Sequence, residues 1–196
     1  MGRRTAWYEC VPFLALAVGL MGVTPGEAVS FALADQEREQ AIRVGKRSIT
    51  ADEFGVEWRL RDASGQTLVV MTPFHRLALA ARVSAFQSRE LRQRDIESVL
   101  KDYEGKLGFR VTLRGGKTDF ARFYTPTLVA GTQEVKASFV QNERTALRED
   151  DGRYAAQCIY VFPAQGLAPN GRVVLVVKDA DEREMAKFTV DLAAMR

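Results

Sequence analysis

The sequence predicts an α+β fold, in which a helix-rich N-terminal half with one β-hairpin packs on a C-terminal antiparallel β-sandwich. Three observations support this prediction. Apolar residues recur at about 3.6-residue spacing in helical stretches before residue 105, they switch to period two from Leu107 onward, and turn-forming stretches then follow at short intervals. The predicted division is 1–34 for a signal peptide, 35–105 for the helices and hairpin, and 106–196 for the sandwich.

The N-terminus has the three-part layout of a secretory signal peptide. Basic "MGRR" precedes thirteen apolar residues, Val11 to Val23, and the turn-forming "TPGE" follows. Because a membrane-spanning helix needs about 20 residues, an uncleaved anchor is the weaker alternative. We expect cleavage after Ala34, or alternatively after Ser30. The prediction is therefore a periplasmic or secreted protein with no transmembrane segment after cleavage.

Composition excludes several classes of protein. The chain of 196 residues carries 28 Lys and Arg against 25 Asp and Glu, a net charge of +3 that predicts no specific nucleic-acid partner. Cleavage after Ala34 leaves 162 residues, enough to bury about 70% of the unfolded surface. Cys158 is then the single cysteine, so no intramolecular disulfide forms, and we expect the thiol to be buried as a small apolar group.

Four elements are predicted before residue 105. A short charged helix covers Asp35–Ser48, and a hairpin covers Val56–Met71, because Val56, Trp58 and Leu60 alternate with polar residues ahead of the turn "DASGQ". Thr72 is a suitable N-cap for the next helix, which extends to residue 86. A further helix covers about Glu90–Glu104, where Gly105 ends it.

The strands after residue 106 are of two kinds. Alternation over 109–113, 135–139 and 187–192 predicts strands with one buried face. The stretch "RYAAQCIYVF" and Val173–Val177 are apolar on both faces, which predicts central strands covered twice. We expect the N-terminal helices to cover the second face, so that the chain forms one packed unit.

The sequence predicts no catalytic, cofactor-binding or metal-binding residues. It contains one histidine, His75, which we expect at the surface in the first turn of a helix, and it lacks the CxxC, HExxH and phosphate-loop motifs. Carboxylates cluster at 149–151 and 179–184. Calcium is the alternative to a solvated turn at these clusters, but "DADERE" lacks the glycine of a twelve-residue calcium loop.

Basic and aromatic residues alternate over part of the predicted sandwich. Such a face suits an anionic polymer, lipid head groups or nucleic acid, and the simpler alternative is a solvated face of mixed charge. Phe120 and Phe123 lie between its members in the chain. The candidate binding face comprises Arg110, Arg114, Arg122, Tyr124 and Lys136.

The stretch "REDDGRYAAQC" carries a resemblance to a known family. Asp150, Gly152 and Tyr154 have the D-x-G-x-Y spacing that resembles the start of a late strand in immunoglobulin-like domains. In that family the tyrosine hydroxyl bonds to nearby backbone as a tyrosine corner. Ala156 stands where antibody-type domains have cysteine, and Cys158 comes two residues later. The resemblance implies a disulfide-free immunoglobulin-like or fibronectin-type-III-like sandwich, with structural roles for these residues. It implies no activity.

Two functional interpretations remain from the sequence. The first is a non-enzymatic periplasmic or secreted binding or structural module that contacts a protein or an envelope component, with no cofactor. The alternative is a secreted hydrolase with a carboxylate-based site that no motif identifies. The scarcity of His and Cys favours the first interpretation, because catalytic roles draw heavily on those residues.

Overall fold

The structure, a computed structural model, describes residues 28–52 and 54–196 and confirms an α+β fold. Residues 1–27, which hold most of the predicted signal peptide, lie outside the described residues. Within the described residues, no helix has both the length and the apolar content that a membrane span requires.

Three α-helices of the described residues precede the main run of strands. They are α1 (Asp35–Arg47), α2 (Pro73–Phe86) and α3 (Gln93–Tyr103). The N-cap of α2 is Thr72, whose Oγ1 accepts a hydrogen bond from the His75 backbone N–H at 3.1 Å. Helix α3 is amphipathic but has no fully buried residue, so its apolar face is only partly covered.

The described residues form ten β-strands, which are numbered in chain order. The first five are β1 (Arg59–Arg61), β2 (Thr67–Met71), β3 (Lys106–Gly115), β4 (Thr125–Ala130) and β5 (Gln133–Lys136). The others are β6 (Phe139–Gln141), β7 (Leu147–Arg148), β8 (Tyr154–Pro163), β9 (Arg172–Lys178) and β10 (Glu184–Asp191).

The strands form two antiparallel sheets. The six-stranded sheet has the order β1-β2-β3-β8-β6, with β7 also paired to β8, and the four-stranded sheet has the order β10-β9-β4-β5. Strand β2 pairs with β3 from Thr67 opposite Thr112 to Met71 opposite Gly108. Backbone hydrogen bonds therefore join the N-terminal hairpin to the C-terminal strands across the predicted boundary at residue 105.

Alternate side chains of both sheets meet in one apolar core. The period-two pattern produces this arrangement, because successive side chains of a strand point to opposite faces. On β3 the buried set is Leu107, Phe109, Val111 and Leu113; on β8 it is Ala156, Cys158, Tyr160 and Phe162; on β9 it is Val173, Leu175 and Val177. Each large aliphatic or aromatic side chain buried there contributes about 1.5–3 kcal/mol.

Helix α1 packs closely on α2, and a glycine makes this approach possible. A Cβ atom added to Gly45 would lie 2.1 Å from the backbone oxygen of Ala78 and 2.8 Å from the Cβ of Ala81. Ala41, one turn earlier on α1, is also fully buried. Small residues on both helices therefore allow the two backbones to approach each other.

The predicted covering of β8 by helices is not confirmed. Helix α2 packs against β2 and α3 against β3, whereas the neighbours of β8 are other strands. Ile159 and Val161 on its outer face remain half-buried. Chain connection explains this difference, because β2 leads directly into α2 and α3 leads through Gly105 into β3.

The first strand is shorter than predicted. Val56–Trp58 forms a 3-10 turn after Gly55, whose φ is +84°, and β1 begins only at Arg59. The turn leaves Val56 half exposed, whereas the Trp58 ring is buried and its Nε1–H donates to the Arg196 oxygen at 3.1 Å. Val56 and Trp58, two positions apart in the sequence, therefore lie in different environments: Val56 is half exposed and Trp58 is buried.

Candidate binding cleft

An open cleft lies where the end of β3, the β3–β4 connection and the β9–β10 turn meet. We call it the aromatic cleft, and its volume is about 420 Å³. Its apolar wall comprises Phe120, Phe123, Tyr124 and Met185. Its remaining lining comprises Gly115, Gly116, Lys117, Asp179, Ala180, Asp181 and Arg183.

The apolar wall depends on a glycine at the end of β3. A Cβ atom at Gly115 would lie 2.5 Å from the ring of Phe120, so any larger residue would displace that ring. The Phe120 ring meets the ring of Tyr124 edge-on, with centroids 5.8 Å apart and planes at 76°. Packing therefore holds the Phe120 and Tyr124 rings of the wall in place.

Two apolar side chains at the cleft are exposed to solvent. Phe123 is 69% exposed, with the Arg122 guanidinium carbon 5.3 Å from its ring centroid, and Met185 on β10 is 39% exposed. Phe123 belongs to the connection and Met185 to the edge strand of the four-stranded sheet. Apolar groups from two elements are therefore presented together to solvent.

The polar wall is a turn stabilised by its own ion pairs. The Asp179 carboxylate accepts hydrogen bonds from the backbone N–H groups of Asp181 and Arg183 at 2.9 and 3.0 Å, and from Arg183 Nε at 2.9 Å. Desolvation opposes the ionised form, but these hydrogen bonds outweigh it and hold the pKa of Asp179 below its ordinary value. The hydrogen bond to Asp179 in turn raises the pKa of Arg183.

These carboxylates are poorly suited to catalysis or metal binding. Asp179 is ionised and occupied by Arg183, which also contacts Asp181 at 2.7 Å. A general acid at neutral pH needs a raised pKa, which is the opposite of the shift at Asp179. Across residues 28–52 and 54–196, no group of three or more His, Cys, Asp or Glu side chains is arranged to hold a metal ion.

The five residues of the predicted binding face do not lie together. Arg110 and Arg114 belong to β3 of the six-stranded sheet, and Lys136 belongs to β5 of the four-stranded sheet. The Arg114 guanidinium is held by Glu149 at 2.8 and 3.0 Å. Only Arg122 and Tyr124 belong to one neighbourhood, since Tyr124 lines the aromatic cleft and the Arg122 guanidinium lies over the ring of Phe123, which also lines it.

The acidic stretch forms the β7–β8 turn, but with a different acid from the one expected. Asp150 is exposed, whereas Asp151 accepts hydrogen bonds from the N–H and Nε of Arg153 at 2.9 and 2.7 Å. The backbone hydrogen bond from Arg153, followed by its side-chain bond, lowers the pKa of Asp151. Gly152 has φ +84°, the left-handed conformation that favours glycine.

The expected tyrosine corner is not formed at Tyr154. Among the described residues its hydroxyl has no hydrogen-bond partner, although the half-buried ring packs against the core. Tyr160, on the buried face of the same strand, donates instead to Asn142 Oδ1 at 3.0 Å. Asn142 Nδ2 donates to the backbone oxygen of Tyr124 at 2.8 Å, so these two hydrogen bonds connect β8 to the aromatic cleft.

Cys158 and His75 are both enclosed in the structure. Burial raises the pKa of the Cys158 thiol, which keeps it protonated and unreactive. The expectation that His75 lies at the surface is wrong: it is 6% exposed and stacks on Trp58 with centroids 4.5 Å apart. Burial lowers its pKa to about 4, and Nδ1 lies 2.8 Å from the Val70 oxygen.

A second concave surface lies between α2 and α3. We call it the helix groove, with a volume of about 850 Å³, and its larger apolar residues are Leu79, Val83, Leu91 and Val99. Arg76 stands at this groove with its guanidinium carbon 4.8 Å from the Tyr103 ring centroid. Its Nε is buried and has no hydrogen-bond partner among the described residues.

Part of the aromatic cleft could not be predicted from the sequence. The sequence places Phe120 and Phe123 among basic residues, but it does not connect Met185 or the 179–183 turn with them. Only the pairing of β9 with both β4 and β10 brings that turn beside the β3–β4 connection. The one available signal was an apolar Met185 among charged residues.

Comparison with known proteins leaves the family open. No family model matches the chain, and no curated protein matches it. Among solved structures, the chain is similar to a novel protein of unknown function from Burkholderia pseudomallei K96243. The two share 8% sequence identity over 83% of this chain and 92% of that chain, with a TM-score of 0.40. A likeness of that size supports no statement on fold or function.

Proposed function

We propose that the protein is an exported, non-enzymatic binding module that contacts a protein or another envelope component through the aromatic cleft. The observation that carries this proposal is the exposure of Phe123 and Met185 at a cleft whose other aromatic rings, Phe120 and Tyr124, pack against each other. An exposed aromatic ring beside a preformed apolar cavity is the usual form of a binding hot spot. The partner places an apolar group between Phe123 and Met185.

Three features support binding in preference to hydrolysis. The single histidine is buried with a pKa of about 4, and the single described cysteine is protonated. Among the described residues, the carboxyl groups with shifted pKa values, Asp95, Asp151 and Asp179, are all shifted downward. The carboxylate-based hydrolase therefore has no candidate acid in the described part of the chain.

We also propose the type of β-sandwich and the location of the protein. The two sheets that share one core support a β-sandwich packed beside the helices, of the immunoglobulin-like or fibronectin-type-III-like kind. The basic start, apolar run and turn of residues 1–27 support export by a signal peptide to the periplasm or the medium. The absence of a cofactor remains part of the proposal.

Site-specific photocrosslinking tests the cleft. We expect Phe123→p-benzoylphenylalanine, irradiated in cells that produce the full chain, to give a discrete product of higher mass. The matched control is Phe139→p-benzoylphenylalanine, because Phe139 is also an exposed aromatic residue but lies on β6 of the other sheet. The product is expected at Phe123 only.

A second variant separates specific binding from chance contact. Met185→Glu places a charge at the cleft on a side chain that is already partly exposed, so it should fold normally. We expect it to reduce the yield of the Phe123 crosslink at least tenfold, which corresponds to a loss of about 1.4 kcal/mol in binding free energy. Equal crosslinking at both positions, or a Phe123 product insensitive to Met185→Glu, would refute the cleft as the binding site.

A further inference from the structure

The residues immediately before α1 belong to the folded protein. Val29 is 1% exposed and Leu33 is 5% exposed, and both lie in the apolar core. The Val29 backbone N–H donates to the Leu192 oxygen at 3.2 Å, which joins this segment to the residue directly after β10. The segment therefore packs as part of the core and does not lie loosely on its surface.

Hydrogen bonds along the segment hold it against two other elements. The Phe31 oxygen accepts the Gly105 N–H at 2.9 Å, at the point where α3 leads into β3. The Leu33 oxygen accepts Arg38 Nε–H at 3.0 Å, and the Ala34 N–H donates to Glu37 Oε2 at 2.7 Å, which caps α1. All these contacts involve residues that cleavage after Ala34 would remove.

The sequence offers a cleavage position that keeps the whole segment. Gly26 and Ala28 place small residues third and first before the Ala28–Val29 bond, as signal peptidases require. Ala28 also follows the end of the apolar run at Val23 by only five residues. Cleavage after Ser30, the alternative named above, would remove the buried Val29.

We propose that the signal peptide is cleaved between Ala28 and Val29, so that the mature protein begins with the packed segment 29–34. Water adds to the Ala28 carbonyl carbon, the Ala28–Val29 C–N bond breaks, and the products are a carboxylate on Ala28 and an amine on Val29. That amine retains N–H groups to donate to the Leu192 oxygen. The proposal rests on the export proposed above, because signal peptidase acts only on a chain that is being exported.

The mature N-terminus is measured on protein made from the full chain. We expect protein purified from the periplasm of a Gram-negative host to give the intact mass of a 168-residue chain, Val29 to Arg196, and an N-terminal sequence that begins Val-Ser-Phe. A chain that begins at Phe31 or Asp35 overturns this cleavage position but leaves export intact. A chain that retains residues 1–28 overturns both.

Matched variants identify the bond independently of folding, because processing precedes folding. Ala28→Asp should abolish cleavage and accumulate precursor, whereas Ala28→Gly, which keeps a small residue, should be processed normally. Ser30→Asp and Ala34→Asp make the same change at the two other positions and should leave processing unchanged. Loss of cleavage in Ala34→Asp or Ser30→Asp, with normal cleavage in Ala28→Asp, would overturn the proposal.

Discussion

At the scale of single residues, His75 is the side chain whose surroundings differ most from its sequence context. Its ring stacks on Trp58 at an interplanar angle of 16°, and Phe54 lies 6.2 Å away. A neutral ring with its proton on Nδ1 satisfies the Val70 oxygen at 2.8 Å. Protonation would add a buried charge near Arg76 and Arg110, which lower the pKa further.

The buried imidazole makes stability depend on pH in a defined direction. The unfolded chain protonates His75 near its ordinary pKa of 6.5, whereas the folded protein does so only near pH 4. The stabilisation is therefore fully present above pH 6.5 and is lost as the pH falls toward 4. We expect His75 to account for a loss of about 2–3 kcal/mol in unfolding free energy between pH 7.5 and 4.5.

Urea unfolding at those two pH values, in the wild type and in His75→Gln, measures this contribution. The carboxyl groups with lowered pKa values titrate in both proteins and cancel in the comparison. The variant should lose about 2–3 kcal/mol less than the wild type over this interval. An identical pH dependence in both proteins would contradict the neutral buried ring.

At the scale of elements, β8 is joined to two connections through Tyr160 and Asn142. The Tyr160 hydroxyl binds the residue directly after β6, and the Asn142 amide binds the residue directly before β4. Burial raises the pKa of Tyr160, so the hydroxyl stays protonated and remains a donor. These two hydrogen bonds therefore position the end of the β3–β4 connection, which carries most of the apolar wall of the aromatic cleft.

Two tyrosine variants on the same strand test this bridge. Tyr160→Phe should lower the free energy of unfolding by about 1–2 kcal/mol, because it leaves Asn142 Oδ1 without its donor. Tyr154→Phe is the matched control and should change it by less than about 0.5 kcal/mol, because no hydrogen bond of its hydroxyl is found in the described residues. Chemical denaturation of the two variants measures both values, and the reverse order would restore the tyrosine corner at Tyr154.

Element prediction succeeded where pattern and environment agree. Strands β8 and β9 are apolar on both faces and lie inside their sheets as predicted, and Thr72 and Pro73 start α2 as predicted. It failed at Val56, because a 3-10 turn and a strand both admit apolar residues two positions apart. It also failed at His75, because nothing in the neighbouring sequence indicates that the folded protein buries a polar residue in the first turn of a helix.

At the scale of the whole molecule, strand order is the property that sequence patterning did not supply. Alternation shows that β3 has a buried face, but it does not identify β2 and β8 as its neighbours. The same limit applies to the aromatic cleft, because its two walls come from stretches about 60 residues apart that only the sheet brings together. Only residues that are close in sequence, such as Arg122 and Phe123, could be predicted to lie near each other.

The pairing of β2 with β3 predicts that the C-terminal strands do not fold alone. A fragment from Lys106 to Arg196 would leave one edge of β3 without its five-residue partner and remove α2 and α3. We expect this fragment to show no cooperative urea transition by circular dichroism, whereas the chain from Val29 to Arg196 shows one. A soluble fragment with a cooperative transition would show that 106–196 is an independent domain.

The position of β3 between β2 and β8 also sets when the protein can fold. Gly115 lies opposite Tyr154 and Lys106 opposite Pro163, so β3 acquires its second neighbour only after about 50 further residues are available. Pairings of such sequence separation close slowly. With the export proposed above, a chain that emerges from its N-terminus would pair β2 with β3 and leave the other edge of β3 open until Pro163 has crossed the membrane. On the same proposal, the open edge of β3 is the surface that a chaperone would need to shield during that interval.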